Sequence, residues 1–287
     1  MRRRTSRTHR TSRTLAAVRR TGVGLLLGLV AAIQIPGCSV KPYTPVPPPA
    51  TTTATRPAGT APRDDRATTA AFAQCAQHFP GYAPTVAWPG RQRALCFDSF
   101  AVLHSGESKT PVYSVERLTR ASVEAAKGLQ RTDRFYPEAR LPAADRAQLA
   151  DYVGSGYDRG HMAPAGDMPD AASKAQSFSL ANMVPQAPEL NQRAWNQIEQ
   201  ATRKYAARAP GDVYVFTGPS FDQRPSTIGA GGVWVPSHTW KVVYSRGERR
   251  AWAYWMTNTA GRHDLKPIDY AEFERRTGLA LLKQPLS

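Results

Sequence analysis

Asp158-Arg159-Gly160-His161-Met162-Ala163-Pro164-Ala165-Gly166-Asp167 sets a guanidinium, a glycine and an imidazole within four consecutive residues. Side chains alternate along an extended strand, so Arg159 and His161 share one face. Imidazole takes a proton from water near neutral pH, and guanidinium offers fixed positive charge to phosphate oxygens. Attack on a phosphodiester needs such a pair. Taken alone, His161 reads more readily as a hydrogen-bonded structural residue of a strand.

The second half of the pattern lies downstream. Phe178-Ser179-Leu180-Ala181-Asn182-Met183-Val184-Pro185-Gln186 precedes Leu190-Asn191-Gln192-Arg193-Ala194-Trp195-Asn196-Gln197-Ile198-Glu199. Within residues 190–207, apolar and polar positions recur at three- and four-residue spacing, which predicts a helix. Asn191, Trp195, Glu199 and Arg203 then form one i, i+4 row. An amide oxygen is a neutral, hard ligand; magnesium keeps several waters and borrows oxygens from substrate phosphate. Glu199 would orient those waters. The bland alternative is a surface helix with Asn191 and Glu199 in solvent and Trp195 in the core.

The ordered set resembles the DNA/RNA non-specific endonucleases of the ββα-metal class, found among secreted bacterial and mitochondrial nucleases. The resemblance rests on Asp158 to His161, Leu180-Ala181-Asn182 with Pro185-Gln186, and Asn191, Trp195, Glu199 and Arg203. Pro111-Val112-Tyr113 and Phe216-Thr217-Gly218-Pro219 look like its strand signatures, so that most of residues 75–285 is covered. It implies an α+β domain with the ββα-metal (His-Me finger) fold, a central, mostly antiparallel sheet flanked by helices. His161 would be the general base, and Asn191 the single protein ligand of Mg2+, for which Mn2+ can substitute. Glu199 would hold water near that ion, while Arg159 and Arg203 bind phosphate or stabilise the transition state. Asp158 and Asn182 would support the site. The family also uses an arginine upstream of the histidine motif; Arg131, Arg134 and Arg140 compete for the role, and spacing does not choose among them. DNA and RNA are the implied substrates, with 5′-phosphate and 3′-hydroxyl products.

The remaining elements fit an α+β reading. Residues 93–103 and 111–116 are predicted as strands, 131–146 as irregular, and 158–162 as a short strand. Residues 213–217 and 233–235 read as strong strands. Residues 241–244 and 251–256 form a hairpin turning at Arg246-Gly247-Glu248. A last helix over 269–277 closes on Gly278.

The chain's formal charge of +16 is concentrated in its first residues, since eight arginines and no acid fall within 1–40. Residues 71–287 carry 26 basic and 20 acidic side chains, a net charge of +6. That excess permits a polyanionic partner without requiring one. Arginines up to Arg20, followed by the apolar run 22–35, read as a signal peptide over residues 1–37, with a short transmembrane anchor as the alternative. Ile35-Pro36-Gly37-Cys38 resembles a bacterial lipobox, making Cys38 a lipid-anchor candidate and the product an exported, periplasmic or envelope-held protein. Residues 38–70, rich in Pro, Thr and Ala, form a tether, and residues 71–287 the endonuclease domain. Once Cys38 is acylated or removed, only Cys75 and Cys96 remain, and an oxidising compartment favours their pairing.

Three rival readings compete. A binding protein that lost catalysis would lack His161 or Asn191. A structural envelope lipoprotein explains the leader and tether but not the histidine–asparagine set. A two-metal phosphatase would need a carboxylate or histidine cluster near His161 that is absent from the sequence.

Overall fold

In the computed structural model, residues 65–88 and 90–283 are described. The expected signal peptide, Cys38 and most of the tether lie outside them. The tether's last residues, expected to be extended, are helical from Asp65, just before Phe72 enters the core.

The strands are β1 (Gln92–Cys96), β2 (Phe100–Ser105), β3 (Thr110–Leu118), β4 (Asp158–His161), β5 (Met183–Gln186), β6 (Val213–Ser220), β7 (Thr227–Ile228), β8 (Val233–Trp234), β9 (His238–Ser245), β10 (Arg250–Thr257) and β11 (Ile268–Asp269). The α-helices are α1 (Asp65–Ala71), α2 (Arg120–Ala125), α3 (Leu149–Tyr152), α4 (Ala171–Gln176), α5 (Asn196–Ala206) and α6 (Tyr270–Thr277). Seven strands make one sheet in the order β1-β2-β3-β6-β9-β10-β11. Every neighbouring pair in it is antiparallel, as expected for this fold class.

Alternation gives the sheet two different faces. Tyr113, Val115, Phe216, Trp240 and Val242 project to one side and pack with Phe72, Phe79 and Phe273. Burying each such side chain contributes about 1.5–3 kcal/mol. The opposite face begins with Leu118, Val213, Val215 and Val243, then changes character: Ser114, Glu116, Thr217 and Lys241 are all buried there. The register sets Ser114 opposite Thr217 and Thr217 opposite Lys241. This polar strip is the floor on which the separate β4–β5 pair and α5 sit.

Three local expectations are revised. Residues 93–103 are two strands, because Phe97-Asp98-Ser99 turns the chain; the Phe97 N–H donates to the Phe100 carbonyl at 2.9 Å and the two rings stack 4.3 Å apart. The strong strand expected at 233–235 is only the two-residue β8, paired with β7. Residues 190–195 are wound as a π-helical turn that runs directly into α5. The last helix ends as expected: Gly278 has φ +68°, the left-handed cap glycine reaches without penalty.

Cys75 and Cys96 are joined by a disulfide, Cα atoms 5.6 Å apart, linking the 3-10 turn after α1 to β1. Closing such a loop is worth on the order of 3 kcal/mol through the unfolded chain's lost entropy.

Candidate active site

β4 carries Arg159 and His161 to the mouth of a cleft of about 390 Å³. Arg131, Asn191, Asn196, Glu199 and Arg203 complete its polar wall. β4 pairs with β5 in the register Asp158↔Gln186, Gly160↔Val184. Gly160 is needed because Gln186 crosses over it: a Cβ there would stand 2.2 Å from Gln186 Oε1.

Asn182 locks the strand pair to the central sheet. It accepts at Oδ1 from Ser114 Oγ (2.8 Å) and from the Ala163 N–H (2.9 Å), and donates from Nδ2 to the Ala163 and Ser177 carbonyls. Asn258, which the sequence did not single out, does the same for β5. Its Nδ2 donates to the Pro185 and Pro236 carbonyls, both at 2.9 Å.

His161 is 7% exposed and its Nε2 has no hydrogen-bond partner. Phe178 meets the ring edge-on at 5.1 Å, and Phe135 lies 5.7 Å away. Burial, reinforced by the positive charge of Arg131, pushes the imidazole down to about 3. It is therefore neutral at ordinary pH, with a nitrogen lone pair available to take a proton. Arg159 spreads over Phe135 and Tyr152, 5.0 and 5.5 Å from the ring centroids, with its Nε unpartnered.

Asn191 is oriented by Asp158. Its Nδ2 donates to Asp158 Oδ2 at 2.9 Å, and Gln192 Nε2 donates to the same oxygen. A carboxylate can only accept, so the amide nitrogen must face Asp158 and Oδ1 is left for the cleft. Among the described residues no group of three or more His, Cys, Asp or Glu side chains is placed to hold a metal. One neutral oxygen beside open space suits a hard dication that keeps most of its own water, and not a closed multi-ligand site.

The expected row along the helix is only partly realised. Asn191, Glu199 and Arg203 line the cleft, but Trp195 is fully buried in the core and Asn196 takes its place. The π-turn supplies the reason: its wider winding brings residue i+5, rather than i+4, over Asn191. Glu199 is held up at about 7 by burial and the nearby Asp167 carboxylate, against the opposing charge of Lys241. Arg203 donates from Nη1 to buried Asp167 at 2.5 Å.

Of the three upstream arginines, Arg131 is the one in the cleft, 5.3 Å over the Phe178 ring. Arg140 is turned away. It pairs with Glu138 at 2.7 Å, donates to the Cys96 carbonyl and stacks on Phe97. Arg134 does not line the cleft.

Beneath the site lie charges the sequence reading passed over. Lys241 is 1% exposed; its Nζ donates to Thr217 Oγ1 at 2.7 Å and lies 5.5 Å from the Trp195 ring centroid. Glu116, equally buried, is driven well above the ordinary carboxyl range by burial and by Asp167, so it carries its proton. Asp167 then pairs with Arg203, and Lys241 balances Glu199. The only sequence signal was a lone charge at an inward position of each of two apolar strands.

Comparison with known proteins identifies the family. The profile of the family described as DNA/RNA non-specific endonuclease matches residues 78–285. Mitochondrial endonuclease G of Bos taurus is 30% identical over 228 residues, covering 72% of this chain and 75% of that protein. Nuclease C1 of Cunninghamella echinulata var. echinulata is 35% identical over 158 residues, 51% of this chain but only 62% of its own length. The chain likewise spans 44% of human nuclease EXOG, to which it is 32% identical over 166 residues, 53% of this chain. A chain in the crystal structure of the EndoG/EndoGI complex superposes with a TM-score of 0.60 at 27% identity, covering 68% of this chain and 87% of that one. With the profile spanning most of the chain and the fold shared, this chain belongs to the DNA/RNA non-specific endonuclease family.

Proposed function

We propose that the chain is an exported endonuclease that hydrolyses phosphodiester bonds of DNA and RNA with little sequence preference and depends on Mg2+, with Mn2+ able to substitute. One observation carries the reading. A neutral imidazole, an amide oxygen left free by its neighbour and three guanidinium groups converge on one cleft.

In this mechanism the His161 imidazole takes a proton from a water molecule as its oxygen attacks phosphorus. The P–O bond to the 3′-oxygen breaks on the opposite side, leaving a 5′-phosphate and a 3′-hydroxyl whose proton comes from solvent. Arg131, Arg159 and Arg203 donate to the non-bridging oxygens, where charge accumulates. Asn191 Oδ1 would hold the divalent ion, which when bound supplies positive charge beside the leaving oxygen. Glu199 accepts hydrogen bonds from water in the cleft and orients it. The roles given to these side chains are all toward phosphate or water, and such contacts carry no sequence information.

Digestion of plasmid DNA and of RNA by the chain from about residue 70 tests the proposal. Both substrates should be degraded with Mg2+ or Mn2+ and spared with EDTA, and His161→Ala should lower the rate by about 10²–10⁴-fold. Intact substrates with either ion, or an unimpaired His161→Ala, would refute it.

A further inference from the structure

A second hollow of about 360 Å³ adjoins the catalytic cleft, between α2 and α5. The two share Gly166 and Arg203 as their common wall. That wall is thin because residue 166 has no side chain: a Cβ there would come within 2.9 Å of Arg203 Nη1. The hollow differs from the cleft in chemistry. Val123, Ala126 and Ala207 make its surface apolar, whereas Lys127 and Lys204 stand exposed at its rim. Lys127 is shared with Glu124 at 2.6 Å. Lys204 forms no ion pair among the described residues.

We infer that this groove is a subsite for the nucleotide next to the scissile phosphate, with sugar and base on the apolar surface and the following phosphate at Lys204 and Lys127. The inference rests on the endonuclease reading and extends it by one residue of substrate. A polynucleotide alternates charged phosphate with largely apolar sugar and base, and the two adjoining hollows alternate in the same way. Continuity also favours it: the strand would leave the cleft over Arg203, the group already facing phosphate. The groove offers little to read a base. Gln200 is the one uncharged polar side chain lining it, and its Nε2 already donates to Asn196 Oδ1 at 3.1 Å.

Steady-state cleavage of long polythymidylate over a range of salt tests the subsite. The double variant Lys127→Ala/Lys204→Ala should raise KM about tenfold at low salt while kcat stays within about twofold, which also reports an intact fold. Losing the one phosphate contact they share should make the plot of log(kcat/KM) against log[salt] shallower by about 0.7. Gln200→Trp, which fills the groove without removing charge, should raise KM and leave the slope alone. Arg275→Ala is the control, a charge removed from α6, which packs on the opposite face of the sheet. Lysine variants with the parent's KM and slope, or no different from the control, overturn the subsite but leave the nuclease reading standing. A parent chain that cuts no polythymidylate or other polynucleotide under these conditions removes both.

Discussion

Asp158 shows how much of this site is decided by one hydrogen bond. An asparagine amide presents a donor and an acceptor from nearly identical shapes, and the difference decides whether it can ligate a cation. Asp158 makes the choice by accepting from Nδ2. Asp158→Ala frees the amide to rotate, so the Mg2+ concentration for half-maximal cleavage should rise 10–100-fold, the range usual for residues supporting a metal ligand. The bond is only part-buried, so the urea midpoint should move little. Titrating cleavage against Mg2+ checks this, and an unchanged metal requirement would show that Asn191 orients itself. The sequence placed Asp158 beside the motif; the hydrogen bond that gives it a purpose joins residues 33 apart.

Elements add what residues alone do not. Strands β3, β6 and β9 would make an ordinary two-faced sheet if Glu116, Thr217 and Lys241 were apolar. Their polar strip instead supports the active-site helix electrostatically. Removing one partner from a buried charge cluster costs about 3–5 kcal/mol, whereas replacing a protonated carboxyl by an amide keeps charge and shape. Lys241→Met should therefore destabilise the fold by about that much, and Glu116→Gln should cost about 1 kcal/mol or less. Urea unfolding of both variants separates the two. Equal losses would mean that Glu116 is ionised and that Lys241 serves it rather than Glu199. The π-turn is the other contribution at this scale. Its extra residue per turn buries Trp195 as an anchor over Lys241 while Asn191 and Asn196 stay in the cleft.

At the scale of the whole molecule, the antiparallel sheet separates two tasks. One face is closed by residues 72–86 and α6 around Phe72, Phe79 and Phe273; the other carries the elements that line the cleft. The Cys75–Cys96 disulfide secures the first layer to β1, and a bond of this kind persists in oxidising compartments. Such a bond suits the export proposed above, and we propose separately that a lipid on Cys38 holds the protein at the envelope. Mass spectrometry of the intact mature protein should find acylated Cys38 as the first residue. An unmodified N-terminus elsewhere would exclude the anchor while leaving export open.

The sequence by itself determined the parts that depend on local pattern. Alternation marked most central strands, the Asp158–His161 run marked two residues that line the cleft, and Gly278 marked the end of the last helix. Their order along the chain was enough to suggest the family. Tertiary structure decided whatever depends on distance through space. It put Arg131, and not Arg134 or Arg140, in the cleft, turned Trp195 inward, split residues 93–103 at Asp98-Ser99, and brought Glu116, Asp167 and Lys241 together beneath Glu199. For the cleft arginine and the buried charges the physical reason is the same. Burial and charge pairing are set by residues far away in the chain, and a single strand or helix carries no record of what will pack against it.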